Sequence, residues 1–154
     1  MTNKASFDLQ TRADLFQKVT HDYTRIKSNW ADSYAAFDFF VTALHLENWP
    51  PMEPSVPCSD SEEQMQLRNV CSYLANGLKH FHESRENKSV KSTELAGSAF
   101  DPHAFDANTF AVGHLVVHLE AEAAKALGSD SIDVLTLATK LVNYWESRLN
   151  TRFK

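Results

Sequence analysis

The segment MQLRNVCSYLANGLKHFHE (65–83) restricts the architecture of this chain more than any other, because it carries a whole core stripe at helical period. At 3.6 residues per turn, Leu67, Val70, Cys71, Leu74, Leu78 and Phe81 fall on one face about 100° wide, as a core-facing helix requires. Arg68, Ser72, Asn76, Lys79, His80 and Glu83 gather on another face. Most of these are ordinary solvent-facing residues, but two features suggest more. Asn76 and Gly77 stand in mid-helix, where each is disfavoured relative to alanine, glycine by about 1 kcal/mol. A glycine there lets another backbone approach closely. Asn76, Lys79 and His80 follow i, i+3, i+4 spacing, so an amide, an ammonium and an imidazole can converge on one point.

The neighbouring segments supply partners for that stripe. Thr11 and Asp14 form a capping-box start, and Leu15, Phe16, Val19, Tyr23 and Ile26 follow at core spacing, which predicts a helix to about Lys27. Ser28 and Asn29 interrupt it, and Asn29 or Asp32 starts a second helix or marks a bend. Over 30–48 the chain is apolar around its circumference, with Trp30, Tyr34, Phe37, Val41 and Leu44 on one side and Phe39, Phe40, Ala43 and Leu46 on others. That pattern predicts a buried central helix. Asp38 and His45 share a stripe two turns apart, flanked by Tyr34 and Trp49, and polar groups on a buried helix need partners. Four prolines within 50–57 then end the helix in a stiff loop. Ser59 or Ser61, with Glu62, Glu63 and Gln64 behind it, starts the third helix.

Residues 84–111 form a long polar connection in which 89–95 has extended character. In VGHLVVHLE (112–120) apolar and other residues alternate around two central valines, which predicts a short half-buried strand paired with the earlier extended piece. The competing reading makes 114–127 one helix. The last helix, from Ser131 to about Asn150, has Ile132, Leu135, Ala138, Leu141, Val142, Trp145 and Leu149 as its core stripe. The expected fold is mainly α: a bundle of about four helices, with a small β element between the third and last helices. A chain of 154 residues fits a single domain, with 1–10 as an N-terminal arm.

Composition excludes several function classes. A net charge of −5 disfavours a broad nucleic-acid surface. No apolar run reaches the roughly 18 residues of a membrane span, and the first residues lack the apolar middle of a signal peptide, so no membrane and a cytoplasmic location are expected. Cys58 and Cys71 form no spaced framework and are read as thiols, Cys71 as a small apolar residue. With four glycines the chain cannot build a Gly-rich phosphate cradle, and no nucleotide-binding or nucleophile-elbow motif occurs. Seven histidines include His80-x-His82 and His114-x-x-x-His118. On a helix the first two point about 160° apart, so the spacing is weak support for a metal. No cofactor is predicted.

The segments FDFFVTALHLENW (37–49), LRNVCSYLANGLKHF (67–81) and LTLATKLVNYW (135–145) resemble a group of small bacterial proteins that share an H-L-x-[DE]-W and a C-x-x-[LI]-A-N-x-x-K-H segment. Here the matching positions are His45, Leu46, Glu47 at a one-residue offset, Trp49, and then Cys71, Ala75, Asn76, Lys79 and His80. That resemblance carries no activity, and it draws attention to His45 and His80. A second resemblance is to the HEPN superfamily of helical ribonucleases and nucleotide-binding domains, whose motif is an arginine followed by four to six residues and a histidine. The chain departs from it: His80 comes twelve positions after Arg68, and His21 nine after Arg12. An RNA-cleaving or nucleotide-handling role therefore loses its main sequence support. The expected function is binding, of a partner protein, of itself or of a small ligand, between the second and third helices. The candidate residues are Asp38, His45, Trp49, Asn76, Lys79 and His80; catalytic residues are not assigned. The alternatives are a HEPN-like enzyme and a histidine-based metal site.

Overall fold

Thr11 and Asp14 start the first helix as a reciprocal cap: the Asp14 backbone N–H donates to the Thr11 hydroxyl, and the Thr11 backbone N–H donates to the Asp14 carboxylate at 2.8 Å. A computed structural model describes residues 6–49, 60–80, 89–96 and 113–150. The proline loop at 50–57, Phe81, His82 and most of the 84–111 connection lie outside the described residues, as do the side chains of Leu78, Lys79 and His80. Within them the chain is mainly helical with a small three-stranded antiparallel sheet.

Helix α1 (Arg12–Ser28) is followed by α2 (Ser33–His45), capped by the Asp32 side chain, and by a single 3-10 turn, Leu46–Asn48. Helix α3 (Glu62–His80) starts at a second capping box, in which Ser61 and Gln64 exchange side-chain and backbone hydrogen bonds. Strands β1 (Val90–Ala96) and β2 (His114–Leu119) pair antiparallel, with Thr93 opposite Val117, and the register shifts by one residue between Val90 and Ser92. A short helix, α4 (Ala121–Leu127), returns the chain through Gly128, and β3 (Ser131–Asp133) joins the free edge of β2 before α5 (Val134–Asn150).

Two expectations are corrected here. Residues 131–133 are strand, not the first turn of the last helix, because Val117 pairs with Ile132 and the Leu119 N–H reaches the Asp130 carbonyl at 2.8 Å. The helix begins only where the Asp133 carboxylate can cap it by accepting the Thr136 N–H. Nor is α2 buried all round. Ala35, Ala36, Phe39, Phe40, Ala43 and Leu46 are in the core, whereas Tyr34 is 82% and Phe37 37% exposed, with Trp30 just before the helix at 48%. On the buried face Phe39 and Phe40, the largest fully buried side chains, fill the space toward α1 and α3, with Ala35, Ala36 and Ala43 between them, and Tyr34 and Phe37 are left outward.

Helix α2 packs against α1 and α3, α5 lies against α1, α3 and β2, and α4 packs on α3. The core runs through Val19, Ile26, Phe39, Phe40, Val70, Leu74, Leu137 and Leu141 and takes in Val117 and Leu119 from the sheet. Among the described residues no helix is long and apolar enough to cross a membrane.

Candidate functional site

The segment His45-Leu46-Glu47-Asn48-Trp49 is held from three sides. Arg12 of α1 donates to the backbone carbonyls of Glu47 at 2.7 Å and Trp49 at 2.9 Å, and the Trp49 indole N–H donates to the Leu9 carbonyl at 3.3 Å. The Glu47 carboxylate accepts from Arg68 of α3 at 2.5 Å. Arg68 also donates to Asp60 at 2.6 Å, and from α5 Arg148 and the Tyr144 hydroxyl converge on the same carboxylate. Burial pushes the Asp60 carboxyl up, but the Arg68 hydrogen bond and the charges of Arg148 and Arg68 outweigh it and hold the group below its ordinary range. Burial likewise works against the Arg68 charge and is outweighed by Asp60 and Glu47, so its pKa is raised. This network ties the chain entering α3 to α5 and to the end of α2. Every polar group named in it is paired within the protein, which makes it a clamp rather than a reaction centre.

Cys71 lies at the same helix interface, with its thiol directed to the Phe40 carbonyl at 3.7 Å. Burial first, and the Glu47 charge second, push that thiol up to about 12, so it is an apolar packing group and not a nucleophile.

Of the six residues singled out in the sequence, Lys79 and His80 have side chains outside the described residues, and the other four are distributed as follows. Asp38 accepts from Arg25 of α1 at 2.7 Å, and its backbone carbonyl accepts the Thr42 hydroxyl. It does not pair with His45, which stands about 10 Å further along the same helix axis. Trp49 turns toward the start of α1, as above. The Asn76 amide donates to the Ser72 hydroxyl one turn back, at 3.2 Å. Cys71 opposite Phe40 and Arg68 opposite Glu47 show that α2 and α3 run antiparallel. His45 is therefore level with Arg68, and α3 carries the backbone of position 80 about 18 Å further along. The structure thus brings His45, Glu47 and Arg68 to one end of the interface and Asn76 toward the other. Among the described residues no backbone approaches Gly77 closely: a Cβ added there would meet none of their atoms within 4 Å.

Two polar features escaped the sequence reading. Asp22 is 1% exposed on the core side of α1 and is held by Lys18 at 2.5 Å and Arg25 at 3.3 Å, and Arg25 joins it to Asp38 on α2. Its phase betrays it, since Leu15, Val19, Asp22 and Ile26 share one stripe. Asp60 follows an aperiodic proline loop and offers no comparable signal. On the sheet, His118 pairs with Glu94 at 2.9 Å. Among the described residues no three His, Cys, Asp or Glu side chains are grouped to hold a metal ion.

What remains uncommitted is apolar. Tyr34 and Phe37 stand exposed on the outward face of α2, and Val41 and Leu44 continue the row at steps of four and three residues, the repeat of a helix–helix seam, but are half-buried and packed against the core. Trp30 extends the surface at the start of the helix, and its carbonyl accepts the Leu115 N–H of β2 at 3.1 Å. Leu115 pairs in turn with Leu95, which is 52% exposed on β1. In comparisons with known proteins, no family model, no curated protein and no solved structure matches the chain.

Proposed function

We propose that this chain is a cytoplasmic binding domain, built on a bundle of its four long helices, that docks an amphipathic helix along the outward face of α2. The supporting observation is the exposed aromatic pair Tyr34 and Phe37 on the outward face of α2, with Trp30 just before the helix; Val41 and Leu44 continue the row at heptad spacing, half-buried and packed against the core. Large aromatic side chains exposed together on one helix bury much area at little entropic cost, and such residues dominate binding energy where a partner covers them. The repeat itself specifies the partner's shape: side chains spaced alternately three and four residues apart form knobs and holes that only another helix fills in register. The clamp around Asp60 and the Asp22–Arg25–Asp38 network hold α2 rigidly against α1 and α3, so the seam is preorganised.

The test is titration of the full chain with a synthetic amphipathic helix carrying leucine at alternate three- and four-residue spacing, followed by the blue shift of exposed Trp30. Saturable binding that weakens about tenfold or more in Phe37→Lys, with circular dichroism unchanged, is the expected outcome. Equal binding by wild type and Phe37→Lys, or no binding at all, rejects the assignment of this face.

A further inference from the structure

We infer that Asn76–Gly77 is a self-modification site latched by the turn of α3 that carries it: when that turn unwinds, the Gly77 backbone nitrogen attacks the Asn76 side-chain carbonyl carbon and the amide is lost. Neither the clamp around Asp60 nor the outward face of α2 uses this pair, and both residues are disfavoured inside a helix. It is the chain's only Asn-Gly sequence. Glycine in the second place matters because it has no Cβ to crowd the attacking nitrogen and its backbone turns freely. In the step the Gly77 nitrogen gives its proton to water, the bond from that nitrogen to Asn76 Cγ forms, the Cγ–Nδ2 bond breaks, and ammonia leaves with a proton taken from water. Water then opens the five-membered imide at either carbonyl, which leaves aspartate or its β-linked isomer at position 76. Water is the only co-reactant.

Three features of α3 hold the step back. Inside the helix the Gly77 N–H donates to the carbonyl four residues earlier, at Tyr73, so the nitrogen is not free to react. A helical ψ of about −42° keeps that nitrogen away from Asn76 Cγ, and ring closure requires the peptide to rotate out of helical geometry. The Asn76 amide donates to the Ser72 hydroxyl at 3.2 Å, which holds the side chain back against the preceding turn. The latch is local, because Val70, Cys71, Leu74 and Ala75 are buried whereas Asn76 and Gly77 are half-buried, and a Cβ on Gly77 would meet no atom of the described residues within 4 Å. A turn with so few buried apolar contacts opens at a lower free energy than the core. The change is also one-way. Either product adds a carboxylate toward the negative end of the α3 dipole, and the β-linked one inserts a methylene that puts the backbone out of step with the helical ladder.

The test holds the full chain at pH 8, folded and in urea, beside Gly77→Ala, and follows the tryptic peptide 69–79 by mass spectrometry for exchange of the amide for an acid. The unfolded wild type is expected to convert, the folded wild type to convert about tenfold or more slowly, and Gly77→Ala in urea to lag behind wild type because its methyl group crowds the attacking nitrogen. Hydrogen exchange on the folded chain supplies a second readout. The Gly77 N–H is expected to be protected by the same factor by which folding slows conversion, and far less than the N–H of Val70 in the core. Absence of conversion in urea, conversion undiminished in Gly77→Ala, or equal rates in the folded and unfolded chain each overturn the inference. Protection of Gly77 equal to that of Val70 overturns it as well, since the pair would then react only through global unfolding.

Discussion

Replacing Gly77 by alanine should stabilise the protein by about 1 kcal/mol. Gly77 lies inside α3 between Asn76 and Leu78, where glycine costs about 0.5–1 kcal/mol relative to alanine through the freedom it has in the unfolded chain. The methyl group has room, because a Cβ at this position meets no atom of the described residues within 4 Å. No clash offsets the gain. For a chain of this length 1 kcal/mol corresponds to a rise in Tm of about 2–4 °C. Urea unfolding followed by circular dichroism at 222 nm, with the midpoint read at constant slope, measures the difference directly. Gly128 provides the contrast: its φ of 78° is left-handed, it ends α4 by donating its N–H to the Ala124 carbonyl, and alanine there should cost about 1–2 kcal/mol. Were Gly77→Ala neutral or destabilising while Gly128→Ala loses stability as expected, some other part of the molecule must press on α3 at this point. The open-face geometry would then be wrong, and the close-approach reading of Gly77 would return.

Three further outcomes are expected. Asp60→Asn should lower stability by about 2 kcal/mol at neutral pH, since it weakens the hold on Arg68 and Arg148 across α3 and α5, both only partly buried. The lowered Asp60 carboxyl contributes stability that is fully present above the ordinary value of 3.8 and is lost as pH falls toward and through the folded value; this part of the acid limb should vanish in the variant's pH–stability profile. Cys71, with its thiol pushed up to about 12, should resist iodoacetamide at pH 8 in a Cys58→Ser background and react once urea unfolds the chain; labelling of the native protein would refute its burial.

The helical elements were legible because their signals are local. The Thr11–Asp14 and Ser61–Gln64 caps, the apolar period of 67–74 and the alternation at 114–119 each depend on residues a few positions apart, and each element appears where that pattern lies. Strand β3 was not legible: Ser131, Ile132 and Asp133 have no strong preference, and the free edge of β2 decides for them. The polar clusters divide in the same way. Asp22 could be found by its phase, whereas the meeting of Asp60 with Arg68, Tyr144 and Arg148 joins positions up to 88 residues apart and leaves no periodic trace.

The case of α2 separates the two levels most clearly. Its sequence alone determines a helix that is apolar around most of its circumference, with Asp38 and His45 on a shared stripe. Only tertiary packing decides which side is buried. The face of Ala35, Ala36, Phe39, Phe40 and Ala43 is the one buried, with the two phenylalanine rings packed in the core, while Asp38 is drawn to Arg25 by a charge one helix away. The same choice leaves Tyr34 and Phe37 exposed on a stripe that local periodicity marks as core.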